Sequence, residues 1–395
     1  MTERRWFSFA LPLMTLLLCA LVLAAGCTQQ APAPPAPDPV RELSAAWPPP
    51  GEILEVNGSR MHIRCTGTGS PVVVLEAGAT DISLSWAKVQ PGVANFTRVC
   101  SYDRQGYGWS DPLEGNVTAR DVTGRLHSLL GAANISPPYV LVGHSLGGEY
   151  VRYYATRYPD DIAGIVLVDP GSEWQMVRTG ENFTREQEAA IHTAALGIRS
   201  MGKIAENGTL AVNLSLVPVD PRLPPYEFHA YQALLATRPY FWDARATEAE
   251  SAFSVFTDLQ QAQISLPENI PLIVISAGNE MQFSKDPVAN AYANTVFRTL
   301  QKEMARESAN GTYRVAPDTT HYVQLDRPDI VIDAIRSVVD AARSREHMYA
   351  FFIGSRQYPS IVPEGYPECR TDPVSRTVLP ARPSLSSSSL LPCAS

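Results

Sequence analysis

Short apolar segments recur along this chain, and segments with a helical pattern separate several of them. The apolar segments are residues 72–75, 98–102, 140–142, 164–168 and 272–275, and the helical patterns are residues 119–130, 148–157, 290–306 and 330–342. A strand that is apolar on both faces must be covered on both faces, as strands are in parallel sheets that are connected through helices. The sequence therefore predicts an α/β fold with a mainly parallel sheet and helices on both faces.

The composition of the chain predicts four parts. Residues 1–26 resemble a signal peptide or lipoprotein signal, and residues 27–50 are a Pro/Ala-rich linker. Residues 51–345 form the domain in which apolar strands alternate with helices. Residues 346–395 form a low-complexity tail with a serine-rich run. The pair Asn57-Gly58 lies between two strand-like segments and predicts a β-hairpin at the start of the domain.

The N-terminal segment predicts that the protein is exported. Arg4 and Arg5 precede an apolar run that ends in small residues before Cys27, as in a secretory signal. The end of this run also resembles a lipoprotein cleavage box, in which Cys27 would be lipidated. An uncleaved membrane anchor is the alternative, because about 20 apolar residues span a bilayer. Both interpretations place the domain at the cell surface and hold it to the membrane.

The composition also limits the classes of partner. The net charge is −8 and no basic stripe occurs, so nucleic acid is not an expected partner. No cysteine or histidine cluster has metal-ligand spacing, and we expect no metal and no cofactor. The sequence indicates no oligomeric state. Sequons of the form Asn-x-Ser/Thr agree with export and predict a glycoprotein, at Asn57, Asn95, Asn116, Asn134, Asn182, Asn207, Asn213 and Asn310.

The alternating pattern stops between residues 171 and 268, where helical segments rich in aromatic residues follow. This insertion comes directly after a predicted strand, and open α/β sheets bind their ligands at the carboxyl ends of the strands. We therefore expect a helical cap over the site. Ordinary helical decoration, whose aromatic residues form a core of their own, is the alternative.

The segment Gly143-His-Ser-Leu-Gly147 lies between a buried strand and a helical stretch. A serine hydroxyl is a weak nucleophile unless the protein holds it exposed beside a base and an anion site. A sharp strand-to-helix turn does this, because glycines leave room for the strained backbone and the helix N-terminus supplies N–H donors. Ser145 is thus a candidate nucleophile. The alternative is a glycine-rich connection in which Ser145 caps the helix.

Four segments, in the order of the chain, resemble those of the α/β-hydrolase family. They are an oxyanion strand at residues 74–79, a strand-end loop at residues 103–110, a nucleophile elbow at residues 143–148 and a histidine motif at residues 320–328. The resemblance covers residues 51–345 and implies an eight-stranded sheet in which only the second strand is reversed. In that strand order the second strand lies beside the fourth, which implies a disulfide between Cys65 and Cys100.

The resemblance also implies a Ser-His-Asp triad in which Ser145 is the nucleophile. Relatives that displace a halide or open an epoxide would be expected to carry aspartate at this position, so Ser145 disfavours a dehalogenase and an epoxide hydrolase. His321 follows the last predicted strand and is the expected base. The acid is Asp169 or Glu280. Most relatives carry the acid in the later turn, which has Met281 where aspartate is expected, and we therefore place Asp169 first and Glu280 second.

The oxyanion hole implied by the resemblance uses the backbone N–H groups of Ala79 and Leu146. The usual His-Gly pair of the family is Ala77-Gly78 here, which leaves the backbone donors intact. These features imply an extracytoplasmic serine hydrolase, a carboxylesterase or lipase-like enzyme with a small-molecule ester or acyl substrate. Acyl transfer to another acceptor and amide or peptide cleavage are alternatives on the same scaffold. A non-catalytic surface binding module would require the loss of a triad residue.

Overall fold

The computed structural model describes residues 38–115, 117–180 and 185–354, and it describes no side chains at residues 185–188 and 346–354. The predicted signal at residues 1–26, the lipidation site Cys27, two sequons (Asn116 and Asn182) and the tail beyond residue 354 lie outside these ranges. Within them, no helix has the length and apolarity needed to cross a bilayer. The chain divides into two units, Met1–Met348 and Tyr349–Ser395, and every described strand belongs to the first.

Eight strands form one sheet in the order β1-β2-β4-β3-β5-β6-β7-β8. They are β1 (Glu52–Val56), β2 (Ser59–Thr66), β3 (Val72–Glu76), β4 (Val99–Tyr102), β5 (Tyr139–His144), β6 (Ile162–Val168), β7 (Leu272–Ala277) and β8 (Gly311–Ala316). Strand β2 is antiparallel to β1 and β4, and all other neighbouring pairs are parallel. The predicted α/β fold, with only the second strand reversed, is confirmed.

Helices pack on both faces of the sheet. Those described are α1 (Pro39–Ala46), α2 (Gln90–Ala94), α3 (Ala119–Ala132), α4 (Leu146–Arg157), α5 (Gln175–Thr179), α6 (Arg185–Glu206), α7 (Thr209–Val212), α8 (Pro225–Thr237), α9 (Pro239–Ala262), α10 (Pro287–Met304), α11 (Val323–Asp326) and α12 (Pro328–Gly354). Successive residues of a strand point to opposite faces. Leu141 of β5 therefore packs in an apolar cluster with α3 and α4, whereas Val140 packs in a second cluster with α12.

Helix α1 lies inside the segment that composition predicts as a linker. Asp38 caps it, since its carboxylate accepts hydrogen bonds from the N–H groups of Val40 at 3.0 Å and Arg41 at 3.3 Å. After the helix, the carbonyl of Trp47 accepts a hydrogen bond from the Trp109 indole N–H at 3.0 Å. The chain therefore joins the folded domain from residue 39 onward, because a capping aspartate and apolar side chains outweigh the proline-rich composition.

Helices α5 to α9 form an insertion between β6 and β7, at the position predicted from the aromatic-rich segment. Leu234 and Phe241 of this insertion share an apolar cluster with Ile82, in the loop after β3, and with Trp109, in the loop after β4. Both loops leave the carboxyl ends of their strands. The insertion therefore rests on the edge of the sheet at which ligands of α/β folds bind.

Cys65 and Cys100 are direct partners in the antiparallel register of β2 and β4, and they form the predicted disulfide. The bond closes a loop with a sequence separation of 35 residues, which restricts the unfolded chain. We expect the Cys65→Ala/Cys100→Ala variant to lose about 2–4 kcal/mol in the free energy of unfolding, measured by urea denaturation against the oxidised protein. Equal unfolding midpoints for the two proteins would contradict this.

Candidate active site

Ser145 lies at the turn from β5 into α4 with strained backbone angles, φ 52° and ψ −125°. The glycines on either side, Gly143 and Gly147, are required because other parts of the backbone pass too close for a side chain. A Cβ at Gly143 would lie 2.4 Å from the carbonyl oxygen of Gly147, and a Cβ at Gly147 would lie 2.5 Å from that of Ala77. The Ser145 side chain makes no capping hydrogen bond to the helix. The geometry therefore argues against a capping serine and leaves the half-buried hydroxyl available.

Asp169 and His321 are in direct contact although 152 residues separate them. The Nδ1 atom of His321 lies 2.7 Å from Oδ2 of Asp169, and the carboxylate is buried. Its other oxygen, Oδ1, accepts hydrogen bonds from the Ala277 N–H at 2.9 Å and from the Gln301 amide at 3.0 Å. A histidine that donates from Nδ1 to a carboxylate has its lone pair on Nε2 when neutral. Asp169 is thus placed to hold His321 in the tautomer that a general base requires.

Ser145 lies beside Asp169 at the carboxyl edge of the sheet. The Ser145 N–H donates to the carbonyl of Val168, the residue before Asp169, at 3.1 Å, and the Gly171 N–H donates to the Ser145 carbonyl at 3.4 Å. Strands β5 and β6 are parallel neighbours, so their ends bring these two residues to one place. The three residues predicted as a triad therefore lie at the same edge of the sheet.

The alternative acid does not share these contacts. Glu280 is exposed, and within the described ranges its carboxylate makes no hydrogen bond or ion pair with another side chain. The geometry therefore favours Asp169. The described part of the chain also contains no group of three or more His, Cys, Asp or Glu residues arranged to hold a metal ion.

His144, inside the elbow, connects the nucleophile turn to the histidine loop. Its Nε2 atom lies 2.9 Å from the carbonyl oxygen of His321, and the two rings are 4.7 Å apart between centroids. Burial, with a smaller contribution from His321, holds the pKa of His144 well below its usual range. The neutral ring therefore donates Nε2–H to that carbonyl and fixes the position of His321. No local pattern predicts this role of His144, because its partner lies 177 positions away in the chain.

The loop after β3 lies against the nucleophile turn. A Cβ at Gly78 would lie 3.3 Å from the Cβ of Ser145. Arg104 anchors this loop, because its guanidinium donates to the carbonyls of Ala77 and Gly78, each at 2.8 Å. In a trans peptide the C=O and the next N–H point in opposite directions. The hydrogen bond to the Gly78 carbonyl therefore turns the Ala79 N–H away from Arg104.

The second predicted donor, the Leu146 N–H, begins helix α4 directly after Ser145. The first N–H groups of a helix have no intrahelical partner and carry the positive end of the helix dipole. Leu146 thus lies directly after the nucleophile, and Ala79 follows Gly78 in the loop that packs against the nucleophile turn.

Arg104 belongs to a buried charged network that reaches from the sheet into the insertion. It forms ion pairs with Glu76 of β3 at 2.7 Å and with Glu248 of α9 at 3.1 Å. The Glu248 carboxylate also accepts hydrogen bonds from the Thr80 N–H and, at 2.8 Å, from the Tyr107 hydroxyl. Burial raises the pKa of Glu76, and Arg104 opposes that rise. The loop that carries Ala79 is therefore fixed at both ends by one network.

Comparison with known proteins gives a consistent result. The sequence model of the alpha/beta hydrolase family matches residues 72–334. The uncharacterized protein YqjL of Bacillus subtilis is 35% identical over 301 residues, which cover 76% of this chain and 95% of that protein. An uncharacterized protein of Schizosaccharomyces pombe is 28% identical over 335 residues; the match covers 76% of this chain but only 58% of that relative's length.

A solved structure shows the same fold. A thermophilic esterase from Thermogutta terrifontis, in its malate-bound form, aligns with a TM-score of 0.51 and 22% sequence identity. The alignment covers 74% of this chain and 98% of the esterase. At this level of identity the likeness concerns the fold.

Proposed function

The chain belongs to the alpha/beta hydrolase family, and we propose that it is a serine hydrolase that cleaves carboxylic esters. The observation that carries this proposal is the contact of 2.7 Å between His321 and the buried carboxylate of Asp169, at the edge of the sheet where Ser145 lies on a strained turn. These are the parts that acyl transfer through a serine requires.

In the proposed reaction, Ser145 Oγ attacks the ester carbonyl while His321 Nε2 takes the hydroxyl proton. Asp169 holds the imidazole and stabilises its positive charge. The carbonyl oxygen becomes negative and accepts hydrogen bonds from the N–H groups of Ala79 and Leu146. His321 then gives the proton to the leaving alcohol, which leaves an acyl group on Ser145. Water, activated by His321, cleaves this acyl-enzyme and restores the hydroxyl.

The nucleophile supports ester hydrolysis over the other reactions of this fold. Halide and epoxide displacement proceed through a carboxylate nucleophile, and this chain has Ser145 at that position. Acyl transfer to another acceptor and amide cleavage share the acyl-enzyme and remain alternatives. A non-catalytic binding module is disfavoured because Ser145 and His321 are both present.

We further propose that the insertion acts as a cap over the site and that the enzyme works outside the cytoplasm. The packing of the insertion on the loops after β3 and β4 supports the first proposal. The disulfide between Cys65 and Cys100 supports the second, because such bonds persist in oxidising compartments. Lipidated Cys27, or an uncleaved anchor, would hold the enzyme to the membrane.

A panel of 4-nitrophenyl esters with increasing acyl length tests the proposed reaction. We expect turnover with an initial burst of nitrophenol that equals the enzyme concentration when deacylation is slow. Added alcohols or amines distinguish hydrolysis from transfer, since an acyltransferase gives the acylated acceptor as its main product. The absence of turnover on every ester would contradict ester hydrolysis, and turnover restricted to anilides would favour an amidase.

The network behind the oxyanion loop predicts a selective effect on turnover. We expect Arg104→Lys to lower kcat about 10- to 100-fold with little change in KM, because lysine cannot hold two carbonyls and two carboxylates at once. We also expect Arg104→Lys to bind a trifluoromethyl ketone inhibitor, which forms a tetrahedral oxyanion on the serine, more weakly than the wild-type enzyme does. This loss of affinity should follow the loss in kcat/KM. Arg199→Lys, which alters a surface ion pair with Glu250, is the matched control. A change confined to KM would contradict a positioning role.

A further inference from the structure

A cavity of ≈ 90 Å³ lies between the insertion and the two loops that carry the proposed catalytic groups. Thr80 and Asp81 line it from the oxyanion loop, and Tyr322, the residue after His321, lines it from the histidine loop. Arg245 of helix α9 faces it from the insertion. Thr80 follows Ala79 in the chain and Tyr322 follows His321, so the cavity adjoins the loops that carry the proposed catalytic groups.

Arg245, which lines the cavity, has N–H donors for which the protein supplies no acceptor. Its Nε and Nη1 atoms are buried and have no hydrogen-bond partner, and among the described residues no carboxylate forms an ion pair with its guanidinium. The Cζ atom of Arg245 lies 5.3 Å from the centroid of the Trp242 ring. Arg222, by contrast, has its charge matched by ion pairs with Asp220 and Asp326. Buried N–H donors of a charged guanidinium strongly favour an anionic oxygen acceptor.

Asp81 limits what this cavity accepts. Its Oδ1 atom takes hydrogen bonds from the Ile82 N–H at 3.0 Å and from the Tyr231 hydroxyl at 3.4 Å. Burial raises the pKa of Asp81 to about 6, and Arg245 is among the groups that oppose this rise. Asp81 thus lies close enough to Arg245 to influence it but does not pair with it. A ligand anion would be attracted by Arg245 and repelled by ionised Asp81.

We propose that this cavity binds a free carboxylate of the ester substrate, with the charged oxygens on the Arg245 guanidinium. The planar fork of arginine suits the two oxygens of a carboxylate. This inference rests on ester hydrolysis at Ser145 and narrows the substrate to esters that carry a carboxylate, in either the acyl or the alcohol part.

Two matched pairs of esters test the inference. Monoethyl succinate and ethyl butyrate differ only in a carboxylate or a methyl group at the end of the acyl chain. The pair 4-acetoxybenzoate and 4-methylphenyl acetate makes the same exchange on the alcohol side. The readout is kcat/KM for the ester with the carboxylate divided by kcat/KM for the ester with the methyl group, both measured by acid release. A loss of activity that is common to both esters cancels in this ratio. We expect the carboxylate to be preferred in one pair.

Two substitutions in the cavity should change this ratio in opposite directions. Arg245→Gln lowers the ratio about 10- to 100-fold, because charge-assisted hydrogen bonds are lost. Asp81→Asn raises it about 3- to 10-fold, because a like charge is removed. Arg199→Gln removes a positive charge from an ion pair elsewhere in the insertion and should leave the ratio unchanged.

The outcomes separate this inference from the proposed function. If ethyl butyrate is hydrolysed but neither carboxylate is preferred, or if Arg245→Gln leaves the ratio unchanged, the cavity proposal is overturned and ester hydrolysis stands. If no ester is hydrolysed and Ser145 is not acylated, both proposals fail. Should Arg245→Gln not fold, as judged by thermal unfolding, Asp81→Asn decides, and an unchanged ratio in that variant overturns the inference.

Discussion

Ser145→Ala is expected to lower kcat/KM for 4-nitrophenyl esters by a factor of about 10⁶, leaving little beyond background hydrolysis. The substitution removes the oxygen on which the acyl-enzyme forms, and no neighbouring group replaces it. His321→Ala should have an effect of the same order, since the serine and its base act as one unit. The double variant should lose hardly more activity than either single variant. Steady-state kinetics at equal protein concentration measure all three.

The control for these variants is His192→Ala. His192 lies on the surface of the insertion, where its ring is 3.1 Å from the Glu250 carboxylate. It should keep full activity. The two residues do not form a catalytic unit if each single variant retains more than about a hundredth of the activity and the loss in the double variant equals the product of the two single losses.

Asp169→Asn is expected to lower kcat about 10⁴-fold, whereas Glu280→Gln should leave kcat unchanged. An amide of the same shape holds His321 in the wrong tautomer and cannot stabilise its positive charge. The amide oxygen still accepts the hydrogen bonds from Ala277 and Gln301, so the fold should persist. Turnover of one ester, together with thermal unfolding of each variant, gives the comparison.

The reverse order of effects would change the assignment of the acid. A large loss in Glu280→Gln with a small loss in Asp169→Asn would mean that the turn after β7 moves to His321 during the reaction. Equal and small losses of kcat in both variants would mean that neither Asp169 nor Glu280 assists His321 in the reaction. Only a dominant loss at Asp169 agrees with the contact of 2.7 Å.

The sheet and the nucleophile turn were predictable because their signals are local. Apolar segments with helices between them predict a parallel sheet, and the glycines around Ser145 predict a tight turn. The pairing of Cys65 with Cys100 came from the strand order that the family resemblance implies. Each of these features follows from a few neighbouring residues or from a known topology.

The supporting contacts of the site were not predictable, because they join distant parts of the chain. Arg104 and Glu248 are 144 residues apart, and Glu248 lies in a helix with no motif around it. His144 contacts the carbonyl of a residue 177 positions away. Such contacts depend on how the insertion and the loops pack, and no local pattern of residues specifies this.

Helix α1 shows the same limit in another way. A segment rich in proline and alanine predicts a linker, yet Asp38 caps a helix there and Trp47 after it packs on Tyr226, with the rings 5.1 Å apart. The partner ring comes from the insertion. Composition alone does not reveal that a nearby surface binds the segment.

Labelling with a fluorophosphonate, followed by peptide mapping, shows whether the Ser145 hydroxyl is activated. We expect one phosphonyl group per chain on the peptide that contains Ser145, with loss of labelling in Ser145→Ala and strongly slowed labelling in His321→Ala. Labelling of a different serine, or none in a folded protein, would contradict the claim that His321 activates the Ser145 hydroxyl.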